Sequence, residues 1–257
     1  EAGFGADMGA EKFFDIKCRA SGLKPDAALL VATVRAIKAH SGRFEIKAGK
    51  PLPDGLNKED LEALAEGVGN LEKQIENVTQ FGVPVVVAIN VFPTDTENEI
   101  EFLREKALAA GASAAHVSTL FAEGGKGGED LAHALVAACE EPSEFKLLYE
   151  DDATLKEKIE AIATKIYGAD GVDYEDEANR QLARFEEHGF GKLPICMAKT
   201  QYSLSHDPKL KGRPTGFRFK VRDARVAVGA GFVYPLAGSI MTMPGLGKTP
   251  AGMKMDI

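Results

Sequence analysis

Apolar and polar positions fall in blocks that alternate between two periods along the chain. Val85-Val86-Val87-Ala88-Ile89 is an unbroken apolar run, too short and too uniform for a surface helix, and it predicts a strand covered on both faces. The run breaks into Asn90-Val91-Phe92-Pro93-Thr94-Asp95-Thr96. Thr96 followed by Glu99 has the spacing of a capping box, and predicts a helix over 97–110 that stops at Gly111. Residues 27–34, preceded by the turn-forming Lys24-Pro25-Asp26, predict a second buried strand. Between the two strands, Asn57 and Asp60 can cap a helix whose Leu61, Leu64, Val68, Leu71, Ile75 and Val78 share one face. Gly67 and Gly69 inside that helix point to close packing rather than exposure.

The same order returns further on. A strand over 115–119 runs into Leu120-Phe121 and the glycine-rich 124–128, expected as a flexible loop, before a helix over 129–139. After Pro142, Leu155, Ile159, Ile162 and Ile166 define an amphipathic helix ended by Gly168, and Ala178, Leu182 and Phe185 define another. Residues 193–198 predict a strand, and Phe217, Phe219 and Val221 alternate with Arg218, Lys220 and Arg222 as a half-exposed strand should. The pattern predicts an α/β fold with mostly parallel sheet regions, right-handed crossovers and flanking helices.

Composition narrows the function class. The 257 residues are 44% hydrophobic with a net charge of −8, which suits a globular protein and argues against an extended nucleic-acid surface. No apolar run approaches the roughly 20 residues that cross a bilayer. Cys18, Cys139 and Cys196 offer neither a disulfide framework nor a zinc spacing, so a cytoplasmic protein is expected. The chain opens at Glu1, without Met, in a glycine-rich turn, which reads as an entry into the middle of a domain.

A buried strand, a polar loop and a helix start in that order mark the ligand-bearing edge of an α/β sheet. Phe92 and Phe121 at two such edges could clamp a flat heterocycle, with Asn90 and Asp95 supplying directional donors and acceptors. The alternative is that both rings seal the sheet edge. Gly3, Gly5 and Gly9 could expose backbone amides to an anion, and Asp7 could orient water or magnesium; a tight turn with a helix cap is the competing reading. Lys199, just past a predicted strand, could address a nucleotide or form a structural ion pair. Arg213, Arg218, Arg222 and Arg225 could gather a polyanion, but alternation on an exposed strand explains at least two of them without a ligand. Gly245-Leu246-Gly247-Lys248-Thr249 lacks the first glycine of a phosphate loop, because Thr242 stands there. The five histidines have no metal-ligand spacing.

Several segments together resemble the formate–tetrahydrofolate ligase family, in its C-terminal half. They are residues 1–7, Glu11-Lys12-Phe13, residues 84–96 and 167–172, Ala198-Lys199-Thr200-Gln201-Tyr202-Ser203, and residues 229–246. The resemblance implies an ATP-dependent ligase that converts formate and tetrahydrofolate to 10-formyltetrahydrofolate through formyl phosphate. It implies an incomplete nucleotide domain of the P-loop NTPase kind over 1–78, an α/β folate-pocket domain over 79–188 and a small domain over 189–257.

Phe92 is similar to one of the family's pterin-stacking aromatics, and Phe121 stands where many members have tryptophan. Asn90 and Asp95 fall in the same pocket segment. Glu1, Gly3, Gly5, Asp7, Lys199, Pro244 and Gly245 would lie near the nucleotide or reaction centre. The family's phosphate loop is expected in a missing N-terminal half, without which ligation fails. The resemblance further implies MgATP and tetrahydrofolate as substrates, a monovalent cation, a homotetramer, and no nucleic-acid or membrane partner. A noncatalytic folate-binding or assembly module is the alternative.

Overall fold

Strand β2 (Val85–Asn90) forms at the apolar run, and its first five side chains are buried. In the computed structural model, which describes residues 2–46, 49–240 and 253, β2 is the centre of a three-stranded parallel sheet. Its neighbours are β1 (Ala28–Ala32) and β3 (Ala114–Ser118), in the order β1-β2-β3. Helices cover the two faces of β2: Val85, Val87 and Ile89 enter the main core, while Val86 and Ala88 pack with Leu131 and Ala138 of the helix Glu129–Glu140. That double cover is why β2 reads as continuous rather than alternating apolar sequence.

The connection from β1 to β2 runs through three helices, Val34–Ala39, Leu61–Gly67 and Gly69–Thr79. Asp60 is the cap of the second, accepting a hydrogen bond from the Ala63 N–H at 2.8 Å, whereas Asn57 ends a separate 3-10 turn. Leu64, Val68, Leu71, Ile75 and Val78 are buried as their spacing requires, while Leu61 stays exposed at the first turn. Gly67 lets this helix touch the backbone of Val34–Ala39: a Cβ there would stand 1.9 Å from the Ile37 carbonyl oxygen.

The capping box at Thr96 and Glu99 is present and opens the helix Glu97–Ala109. One sheet therefore joins residues on both sides of position 78. The remaining two helices also follow their periodicities. Leu155–Ala161 continues as a π-helical turn to Ile166, and Asp176–Glu187 buries Ala178, Leu182 and Phe185.

The second sheet has the order β4-β5-β6, built from Val172–Tyr174, Phe219–Ala227 and Phe232–Ala237. β4 and β5 are parallel, whereas β5 and β6 are antiparallel, so this part of the molecule is mixed. The strand expected over 193–198 is not continuous; it touches β6 in two isolated bridges, Ile195 to Val233 and Ala198 to Leu236. The cause is Pro235. Around it the Cys196 N–H bonds the Val233 carbonyl and the Ala198 N–H bonds the Pro235 carbonyl. Proline has no N–H to return the bond between them.

Both outer strands of the first sheet, β1 and β3, have an edge that no described strand pairs with. Leu29 and Val31 are 45% and 61% exposed. They lie opposite Val86 and Ala88, the residues that the helix Glu129–Glu140 covers on β2. Among the described residues no helix is long and apolar enough to cross a membrane.

Candidate functional site

The carboxyl ends of the three parallel strands deliver three loops to one edge of the sheet. In register, Asn90 at the end of β2 faces Ser118 at the end of β3. Phe92 lies two residues past β2 and Phe121 three residues past β3, so the two predicted aromatics leave neighbouring strands at the same edge. Phe92 is 36% exposed and Phe121 is fully exposed.

The Phe92 loop is a tight, locally bonded turn. The Asp95 N–H bonds the Phe92 carbonyl at 2.9 Å, and Asp95 Oδ2 accepts the Phe92 N–H at 2.9 Å. Half-burial pushes the Asp95 carboxyl up from its ordinary range. Asp95 thus builds the turn that presents the ring. Glu99 fixes the start of the next helix. Its carboxylate accepts the Thr96 N–H as part of the cap and pairs with Lys38 Nζ at 2.8 Å, with both side chains buried.

The segment around Phe121 differs from the flexible loop expected. Phe121 sits on a short helical turn, Leu120–Glu123, and Gly124–Gly128 forms a 3-10 turn folded back on Thr119. The Thr119 N–H bonds the Gly127 carbonyl at 3.0 Å, and a Cβ on Gly127 would lie 2.4 Å from Thr119 Oγ1. Gly127 serves this close approach, and Gly128 packs as tightly against the Leu120 side chain.

A residue that the sequence pattern does not reveal completes the edge. Arg35, in the first turn of the helix after β1, lays its guanidinium over the Phe92 ring with Cζ 4.0 Å from the centroid. It also donates from Nη2 to Thr94 Oγ1 at 3.1 Å. The only hint in the sequence is position: Arg35 comes two residues after the Thr33 cap, where β1 delivers its loop to the edge shared with β2.

Asp7 and Lys199 come together, but with each other. Lys199 Nζ lies 2.8 Å from Asp7 Oδ2 and donates to the carbonyls of Thr200 and Ser203, with its side chain out of solvent. Burial lowers its pKa, and Asp7 opposes that shift. Asp7 Oδ1 accepts from Gln74 Nε2 at 2.9 Å, and its N–H bonds Gln74 Oε1. Gly3 and Gly5 are exposed, and a Cβ on Gly5 would meet Asp7 Oδ1 at 2.5 Å. The Met8 and Gly9 N–H groups are bonded to the Gly5 carbonyl. The segment is therefore a tight turn in which the Asp7 carboxylate is engaged by Lys199 and Gln74. Among the described residues no cluster of three or more His, Cys, Asp or Glu has the arrangement of a metal site.

Glu1, Pro244 and Gly245 fall outside the described residues, as do Gly247, Lys248 and Thr249. The arginines predicted as a polyanion patch are engaged within the chain. Arg213 makes a two-pronged pair with Glu76, Arg218 and Arg225 pair with Asp173 and Asp223, and Arg222 donates to the Ile240 carbonyl. A mostly apolar cavity of about 560 Å³ lies against β1 between Phe4, Phe13, Phe14 and Leu30. Neither Phe92 nor Phe121 lines it.

The arrangement has known relatives. The family model for formate–tetrahydrofolate ligase matches residues 1–257. The chain is 60% identical over 257 residues to a formate–tetrahydrofolate ligase of Roseiflexus sp. (strain RS-1), covering all of this chain and 46% of that protein. Similar relatives bearing the same name occur in Roseiflexus castenholzii, 58% identical with 46% of its length covered, and in Desulforamulus reducens, 54% identical with 45% covered. All of this chain thus spans just under half the length of each of these relatives.

Proposed function

The chain belongs to the formate–tetrahydrofolate ligase family, and on that premise we propose that it supplies the folate-binding part of an ATP-dependent ligase joining formate to tetrahydrofolate. The products are 10-formyltetrahydrofolate, ADP and phosphate. Formate carries no leaving group that a folate amine can displace. Transfer of the terminal phosphoryl of MgATP to a formate oxygen creates one, and the amine then attacks the formyl carbon of formyl phosphate and expels phosphate. The protein's tasks are to hold the reactants in line and keep water from the acyl phosphate.

The observation that carries this reading is the pair Phe92 and Phe121 on adjoining strand ends, in a chain related over its whole length to enzymes of that name. A pterin is flat and partly apolar, and each aromatic face stacked on it contributes about 0.5–1.5 kcal/mol beyond burial. Asn90 and Asp95 border the same edge.

The chain is assigned to the C-terminal half of the ligase, and its first sheet to the margin of the nucleotide domain. Two observations support that assignment. The 257 residues contain no complete GxxxxGK[ST] phosphate loop. The unpaired β1 edge, with Leu29 and Val31 beside it, is an apolar surface that suits further polypeptide. Phosphoryl transfer from ATP to formate then depends on the remaining part of the enzyme.

Formate- and tetrahydrofolate-dependent ADP release tests the assignment, measured for this chain alone and after recombination with the rest of the ligase. Activity only in the recombined sample is expected. Turnover by the chain alone would overturn the dependence, and no turnover in a folded, recombined sample would overturn the ligase reading.

A further inference from the structure

We propose that Arg35 is a positioning residue for the folate site: it occupies one face of the Phe92 ring and sets the plane in which the opposite face meets the pterin. The proposal rests on the reading of Phe92 as a stacking residue and adds to it a residue from a different strand end. Its basis is geometric. The guanidinium carbon lies 4.0 Å from the ring centroid, within stacking range, and Nη2 anchors to Thr94 Oγ1 two residues beyond the ring. Arg35 Nε is buried and has no hydrogen-bond partner among the described residues. The side chain is held by the ring and by Thr94, with the Asp95 carboxylate near enough to feel its charge.

Both partners stand on fixed supports. Thr33 caps the helix that carries Arg35, accepting the Ala36 N–H at 3.1 Å. Lys38, one turn further along that helix, makes the buried pair with Glu99, which caps the helix after the Phe92 loop. The Arg35 helix and the Phe92 turn are thereby locked to one another at two points, Lys38 with Glu99 and Arg35 with Thr94. A freely rotating ring would lose orientational entropy on binding a flat ligand; a ring backed by a planar cation is already oriented.

One face of the Phe92 ring is taken, so a heterocycle has only the other. The cation draws electron density toward the occupied face, which leaves the free face better suited to an electron-rich ring such as the amino-oxo-pyrimidine of a reduced pterin.

The test is a double-mutant cycle in the complete ligase, reading the tetrahydrofolate KM for wild type, Arg35→Ala, Phe92→Ala and the double variant. Arg35→Ala is expected to raise that KM about tenfold, leave the ATP and formate KM values unchanged, and add nothing when Phe92 is already alanine. Arg35→Lys, which keeps charge but not the planar stack, should fall between wild type and alanine. It replaces the alanine variant in the cycle if that variant does not fold. Equal effects of the Arg35 change with and without Phe92 would show a merely structural arginine and overturn the proposal. So would an unchanged KM in Arg35→Ala beside a raised one in Phe92→Ala. An unchanged KM in Phe92→Ala itself would overturn the folate reading, and the Arg35 role with it.

Discussion

Lys199 Nζ and Asp7 Oδ2 lie 2.8 Å apart with both side chains out of solvent, joining the glycine turn at one end of the chain to the segment beside β6 near the other. Removing one partner of such a pair leaves the other charged and buried, at a cost of about 3–5 kcal/mol. Lys199→Met should therefore shift a urea unfolding midpoint strongly downward. Asp7→Asn combined with Lys199→Met should be milder than Lys199→Met alone, because no charge is stranded. A double variant as unstable as the single one would contradict this reading of the pair.

Burial pushes the Glu11 and Asp15 carboxyls up, which gives stability a component that falls with pH, against the smaller opposite effect of His40 and His206, whose imidazoles burial pushes down. Glu11 is fully enclosed; burial first, then the neighbouring carboxylates of Asp15 and Asp7, push its carboxyl well above the usual range, against the pull of Lys12. The native chain thus keeps a proton that the unfolded chain has already released, and binds more protons than the unfolded state. Stability should fall as pH rises from about 5 through neutrality, the reverse of the behaviour of a salt-bridged carboxylate. Thermal melts across that range should show the slope. Glu11→Gln should flatten it and melt above wild type at the alkaline end. A wild-type midpoint that rises with pH would contradict the assignment.

Much of this architecture is legible in the residues, and the failures have identifiable causes. β2 could be read because five buried side chains in a row leave no other element that short, and the Thr96–Glu99 box because its spacing is local. Residues 193–198 misled because the alternation of side chains was right, while the interruption lay in Pro235 of a strand nearly forty positions away. The glycine-rich 124–128 reads as flexible because a sequence shows the absence of side chains and not the Thr119 and Leu120 atoms that stand where Gly127 and Gly128 would carry a Cβ. Arg35 escaped notice for a similar reason. Its contact with Phe92 depends on β1 lying beside β2, which pattern alone implies but does not localise to a side chain.

Gly67 offers a test of whether propensity or packing decides. Alanine in a helix interior is favoured over glycine by about 1 kcal/mol. At this position, however, the added carbon would meet the Ile37 carbonyl at 1.9 Å, and a main-chain atom cannot swing aside. Gly67→Ala should therefore lower the melting temperature, with a loss of about 1–3 kcal/mol. A stabilised variant would mean that the two helices stand further apart.

Phe121 is fully exposed and held on a short turn, so replacing it should hardly touch the fold. Phe121→Trp should change stability by less than about 0.5 kcal/mol. A larger ring with an N–H donor should nonetheless tighten tetrahydrofolate binding about threefold. Calorimetric titration beside a thermal melt separates the two effects. An unchanged affinity would count against Phe121 as a pterin contact.

The most direct measurement is the tetrahydrofolate affinity of the complete ligase after truncation of the ring that Arg35 backs. Phe92→Ala should weaken binding at least tenfold while the protein stays folded and keeps its affinity for ATP, as loss of one stacked and partly buried face requires. An affinity for tetrahydrofolate equal to that of the wild type would contradict the placement of the folate site at the carboxyl ends of β2 and β3.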